Sequence, residues 1–158
     1  MKRFILGLAV CLGLGAGLAR AADQLSNAPL FVNLSEIKWQ KIVPELGEGS
    51  PEIAILRVDP KTQATQLMIR VPKNFYVPKH WHTANETHTV VNGTFVVECD
   101  GQSVELGPGG FNYVPSKMVH RARTKADEGA LLFITVDSAW DINWAEPLWW
   151  EKKKPGAN

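Results

Sequence analysis

The chain is 158 residues long, with 45% hydrophobic residues, 21% charged residues and a formal net charge of +1. This is a globular composition at the size of one domain, which excludes a disordered or fibrous chain. No basic block dominates its body, so no nucleic-acid partner is expected, and two cysteines are too few for a disulfide framework.

Residues 1–21 have the layout of a targeting segment. Lys2 and Arg3 precede an apolar run from Phe4 to Leu18, and Ala19-Arg20-Ala21 supplies the small-x-small pattern that a signal peptidase reads. The apolar run is shorter than the roughly 20 residues that span a bilayer. Cleavage and export are therefore expected, to the periplasm or outside the cell, with no stable membrane insertion afterwards. Cleavage leaves Cys99 as the remaining cysteine, and a lone thiol in an oxidising compartment is expected to be buried.

Residues 22–52 read as an irregular N-terminal arm, broken by Pro29, Pro44, Gly47, Gly49 and Pro51. Within it, Leu34 to Val43 predicts one short strand or helical turn, with Trp39 packed on the body. Residues 53–137 read as β throughout. Strands are predicted over Ile53–Val58, Thr65–Val71, Thr94–Cys99, Ser103–Leu106, Phe111–Val114, Met118–Thr124 and Ala130–Asp137. Asp59-Pro60-Lys61 is a turn signal. Asn92-Gly93 and Asp100-Gly101 each offer positive φ for a two-residue hairpin. Short strands at roughly 8–12-residue spacing predict a single all-β domain, a sandwich or barrel. Residues 138–158 form a Trp-rich flap and tail. Four of the six tryptophans fall in this stretch, which predicts cover for a barrel face, an interface in a homodimer, or an aromatic lid on a ligand.

All four histidines lie between positions 80 and 120. On a strand, His80 and His82 point to the same face roughly 7 Å apart. A turn at Thr83-Ala84-Asn85 folds the chain back and brings Glu86 across from them. Two neutral imidazoles facing a carboxylate are the ingredients of a divalent metal site. His88 shares the parity of Glu86 and points into the same space, as a candidate hydrogen-bond partner or acid/base catalyst, with a rim histidine bonded to backbone as the bland alternative. Tyr113 carries a phenol able to donate to a bound anion and is the second catalytic candidate, against an ordinary rim tyrosine. Phe75 and Tyr76 are candidate cavity-lining residues. Arg121 and Arg123 alternate with the parity of His120 and are expected to face outward.

His80-Trp-His82-Thr-Ala-Asn-Glu86, followed six residues later by Gly93, resembles the first motif of the cupin superfamily. Gly109, Pro115 and His120 follow the spacing of the second. The resemblance covers residues 53–137 and implies a cupin-type jelly-roll barrel (a double-stranded β-helix), with His80, His82, Glu86 and His120 as ligands of one divalent transition metal ion. Fe, Mn, Zn, Ni, Co and Cu all suit such a set. Three positions depart from the motifs: Asn74 and Lys117 stand where glycines are usual, and Thr124 where the second motif ends in asparagine. The sequence is also similar to the cupin domain of zinc-binding anti-sigma factors and to small secreted single-domain cupins. The implied function is an exported metal-dependent enzyme on a small organic substrate, dioxygenase-like or of related chemistry. The alternative is a non-catalytic module that binds or senses a metal or small ligand.

Overall fold

The computed structural model describes residues 28–151. The expected targeting segment, and the tail beyond Glu151, lie outside the described residues. Among the described residues, eleven strands form two antiparallel sheets. In chain order they are β1 (Gln40–Lys41), β2 (Glu52–Val58), β3 (Thr65–Val71), β4 (Tyr76–Trp81), β5 (Glu86–Gly93), β6 (Phe95–Cys99), β7 (Gln102–Leu106), β8 (Phe111–Val114), β9 (His120–Thr124), β10 (Ala130–Val136) and β11 (Asn143–Trp144). One sheet has the order β1-β2-β3-β10-β5-β8 and the other β11-β4-β9-β6-β7. This is the all-β architecture that the strand spacing predicted, in the jelly-roll form that the motif resemblance implies.

Period-two patterning drives the assembly. Along β10, Ala130, Leu132, Ile134 and Val136 are buried while the residues between them are half-buried. Leu67, Leu132 and Ile134 are fully enclosed, and each such side chain contributes about 2 kcal/mol from loss of water contact. β5 follows the same alternation, but its inward positions are Glu86, His88 and Val90. Two ionisable side chains thus occupy core positions, and the core is built around them.

Turns behave as their residues dictate, with one exception. Asp59 Oδ1 accepts from the backbone N–H groups of Lys61 and Thr62, both at 2.9 Å, and closes the β2–β3 turn. Those bonds hold its carboxyl down at about 2. Asp100 and Gly101, at φ 50° and 73°, make the two-residue hairpin between β6 and β7. Asn92-Gly93 does not make a hairpin. β5 pairs with β10 and β8, whereas β6 pairs with β7 and β9, so the chain changes sheets here. Gly93 has φ 78°, and a Cβ on it would lie 2.0 Å from the Gly129 carbonyl oxygen. Both facts require glycine, and neither concerns a hairpin.

The stretch before His120 is a turn rather than strand: Met118 N donates to Pro115 O at 3.0 Å, and Lys117 sits at φ 63°. Asn74 is also left-handed, at φ 55°. Thr124 replaces asparagine with full use of its hydroxyl. Its Oγ1 accepts from Phe75 N at 2.9 Å and donates to Pro72 O at 2.7 Å. Cys99 is half-buried rather than buried. In the arm, β1 and two short 3-10 turns lead into β2. The Arg70 guanidinium lies 4.6 Å from the Trp39 ring centre, and Val43 enters the core.

Candidate metal centre

His80 belongs to β4, His82 follows that strand's end, and His120 opens β9. β4 and β9 are neighbours, with His80 and His120 directly paired. The three rings meet with centroids 4.2 Å apart for His80–His120, 5.0 Å for His80–His82 and 5.2 Å for His82–His120. Their ligating atoms lie within 4.8 Å of one another, and the group is able to hold a metal ion.

Backbone carbonyls select the tautomers. His80 Nδ1 meets Pro78 O at 2.7 Å, His120 Nδ1 meets Met118 O at 3.0 Å, and His82 Nδ1 meets Asp141 O. A nitrogen facing a carbonyl oxygen must carry the proton, so each Nε2 keeps its lone pair. This is the arrangement in which imidazole binds metal through Nε2, with its other nitrogen fixed by a hydrogen bond.

Glu86 opens β5 and is 1% exposed. Its Oε1 accepts from the Trp140 indole N–H at 3.0 Å, while Oε2 lies 2.9 Å from His82 Nε2 and 3.2 Å from His88 Nε2. With His82 Nδ1 already the donor, His82 Nε2 and Glu86 Oε2 are two acceptors at contact distance. They need a cation between them, a proton or a metal. Glu86 Oε2 and His120 Nε2 are also buried side-chain atoms without a hydrogen-bond partner among the described residues. Buried polar atoms left unpaired cost about 1–3 kcal/mol each, so this pair marks where a cation fits.

The electrostatics divide the histidines. Burial, reinforced by the charges of His120 and His82, pushes His80 well below its usual range. Burial likewise takes His120 down to about 4. Burial also opposes charge on His82, but hydrogen bonding to the Glu86 carboxylate and its negative charge outweigh it and raise the imidazole. Burial opposes charge on Glu86 too, yet His88 and His82 hold its carboxyl well below the usual range.

The other predicted site residues separate. His88 is buried beside Glu86, and its Nδ1 lacks a partner, as does Oδ1 of Asn112, its cross-strand neighbour on β8. Tyr113 lies outside the cluster. It pairs with Thr87 on the opposite face of β5, is 54% exposed, and donates its phenol to Asn85 Oδ1 at 3.0 Å. It braces the turn between His82 and Glu86 instead of facing a ligand. Phe75 lines the cavity, whereas the Tyr76 phenol donates to Glu146 at 2.6 Å. Arg121 pairs with Glu98.

The Trp-rich stretch is part of the site, which matches the lid among the roles its composition left open. Asp137 binds Asn85 N at 3.0 Å, Asp141 binds Thr83 N at 2.8 Å, and β11 pairs with β4. Trp140 stands 6.1 Å from His82 and Trp144 5.5 Å from His80, ring to ring. Both line a cavity of about 70 Å³ beside the histidines.

Residues 67–137 match a family model described as a cupin domain. The barrel is a cupin fold. Among solved structures, the polyketide cyclase RemF from Streptomyces resistomycificus is 18% identical, with a TM-score of 0.64 over 81% of this chain and 95% of that one. KdgF from Halomonas sp. is 20% identical, with a TM-score of 0.57 over 68% of this chain and 94% of that one. A predicted oxalate decarboxylase from Thermotoga maritima is 20% identical, with a TM-score of 0.59 over 69% of this chain and 99% of that one. No curated protein matches the chain. Proteins with this cupin fold thus include enzymes of unlike chemistry, and the fold by itself does not select among them.

Proposed function

We propose that this chain is an exported mononuclear metal-binding cupin, and that it acts as a metal-dependent enzyme on a small organic molecule. His80, His82, His120 and Glu86 hold one divalent transition ion. The observation that carries the reading is the convergence of three imidazoles whose Nδ1 atoms are committed to carbonyls, beside a carboxylate oxygen 2.9 Å from His82 Nε2. Four protein ligands leave room in an octahedral shell, and a bound ion there supplies Lewis acidity at a water-poor site. His88 stands against Glu86 and is the protein's proton-handling group inside the cavity. Trp140 holds the outer carboxylate oxygen and excludes water. The targeting pattern of residues 1–21 supports export.

A non-catalytic metal or small-ligand binding module is the second reading. The small cavity of about 70 Å³ favours it, because it is far smaller than the few hundred Å³ typical of substrate pockets. The test is elemental analysis after reconstitution with iron, manganese, copper and zinc. The native sequence should retain one equivalent of a transition metal, and His80→Ala with His82→Ala should abolish it. A native protein that retains none refutes the proposal. Oxygen-uptake and substrate screening of the loaded protein then separates the two readings.

A further inference from the structure

The cavity walls narrow the class of ligand this centre accepts. Apart from the four histidines and Glu86, every described residue lining the cavity is apolar, among them Phe75, Phe95, Ile134, Ile142 and Trp150. No lysine, arginine, hydroxyl or amide side chain is among these lining residues. The nearest charged groups on the strap above it are acidic: Asp141 is held by the N–H and hydroxyl of Thr83, and Asp137 by Asn85. A divalent ion with the Glu86 carboxylate leaves one net positive charge. One bound anion neutralises it. A second anionic group on the same ligand would sit mostly among hydrocarbon, with only the His88 imidazole, already against Glu86 Oε2, to meet it, which is unfavourable.

We infer that the site selects a short, singly charged or neutral oxygen ligand with an apolar remainder, and discriminates against dicarboxylates. The inference rests on the metal-centre reading above. The cavity of about 70 Å³ is room for about five waters, which limits the remainder to a few carbon atoms while Trp140 and Trp144 stay in place.

Butyrate and succinate make a matched pair: both have four carbons, and succinate has a second carboxylate where butyrate has a methyl group. The experiment uses the cobalt(II)-loaded native chain, after elemental analysis has measured its cobalt, and follows the visible absorption of the ion as each acid is added. Butyrate should shift the bands and bind on the order of a hundredfold more tightly than succinate, from the cost of an unpaired buried carboxylate. A preference for butyrate under about tenfold, or no response to butyrate, overturns the inference while the cobalt content leaves the metal centre intact. Failure to take up cobalt at all overturns both.

Discussion

Metal binding to the metal-free protein should release close to one proton, and the count follows from the site's geometry. At pH 6 an imidazole with an ordinary value of 6.5 is about three-quarters protonated, so three independent ligands would release about 2.3 protons. In this protein His120 is down at about 4 and His80 is lowered well below 6.5, both by burial, so both are already neutral at pH 6. His82 is raised by Glu86 and carries the cation that the 2.9 Å contact between His82 Nε2 and Glu86 Oε2 requires. Glu86 is ionised. A metal therefore displaces one proton, shared between His82 and Glu86. The sign is fixed: a raised His82 stays protonated below its folded value, so affinity falls with acidification, about tenfold or 1.4 kcal/mol per pH unit. A steeper fall begins near pH 4, where His120 titrates. Calorimetry of zinc binding at pH 6 in buffers of different ionisation enthalpy gives the number directly. A value near 2.3, or near zero, refutes the division of roles among the three histidines.

Three substitutions test the supporting structure. Trp140→Phe keeps an aromatic ring but removes the donor to Glu86 Oε1, and should weaken metal affinity by about 10–100-fold while the stranded carboxylate oxygen costs the metal-free protein about 1–3 kcal/mol; unchanged affinity in a chelator competition would refute this role. Thr124→Val strands the Phe75 N–H and the Pro72 carbonyl, which should cost about 2–4 kcal/mol in urea unfolding, and a loss under about 1 kcal/mol would show that those groups find other partners. Lys117→Gly relieves a left-handed residue at φ 63° and should gain about 0.5–1 kcal/mol after the greater chain entropy of glycine is counted; destabilisation in the same assay would show that Lys117 is not strained.

Local pattern carried much of the fold. β3 and β8 match their predicted spans residue for residue, because each is a short β-rich run bounded by turn residues. The histidine cluster was legible for a similar reason. A spacing of two in extended chain gives a common face, which His82 keeps just past the end of β4, and the motif spacing pointed to His120 across the barrel. What a local reading missed was partner identity. Asn92-Gly93 looks like a hairpin in isolation, yet Gly93 is required by the Gly129 carbonyl, 36 positions away in the sequence. The phase of β8 relative to β5 set Tyr113 outside, and nothing within Phe111–Val114 encodes that phase. The tryptophans advertised a cover without an address. Trp140 meets Glu86 across 54 residues, a pairing that exists only once the sheets have closed.

The proton on the inner imidazole of the His-x-His pair is fixed by a peptide carbonyl 59 residues further along the chain. During synthesis, the hand that orients this ring therefore arrives after nearly all of the barrel has been made. His80 and His120 take their orientation from carbonyls two residues earlier, Pro78 and Met118, so His82 alone waits for the end of the chain. On the metal-centre reading, the full set of aligned donors therefore exists only once the last strands have settled.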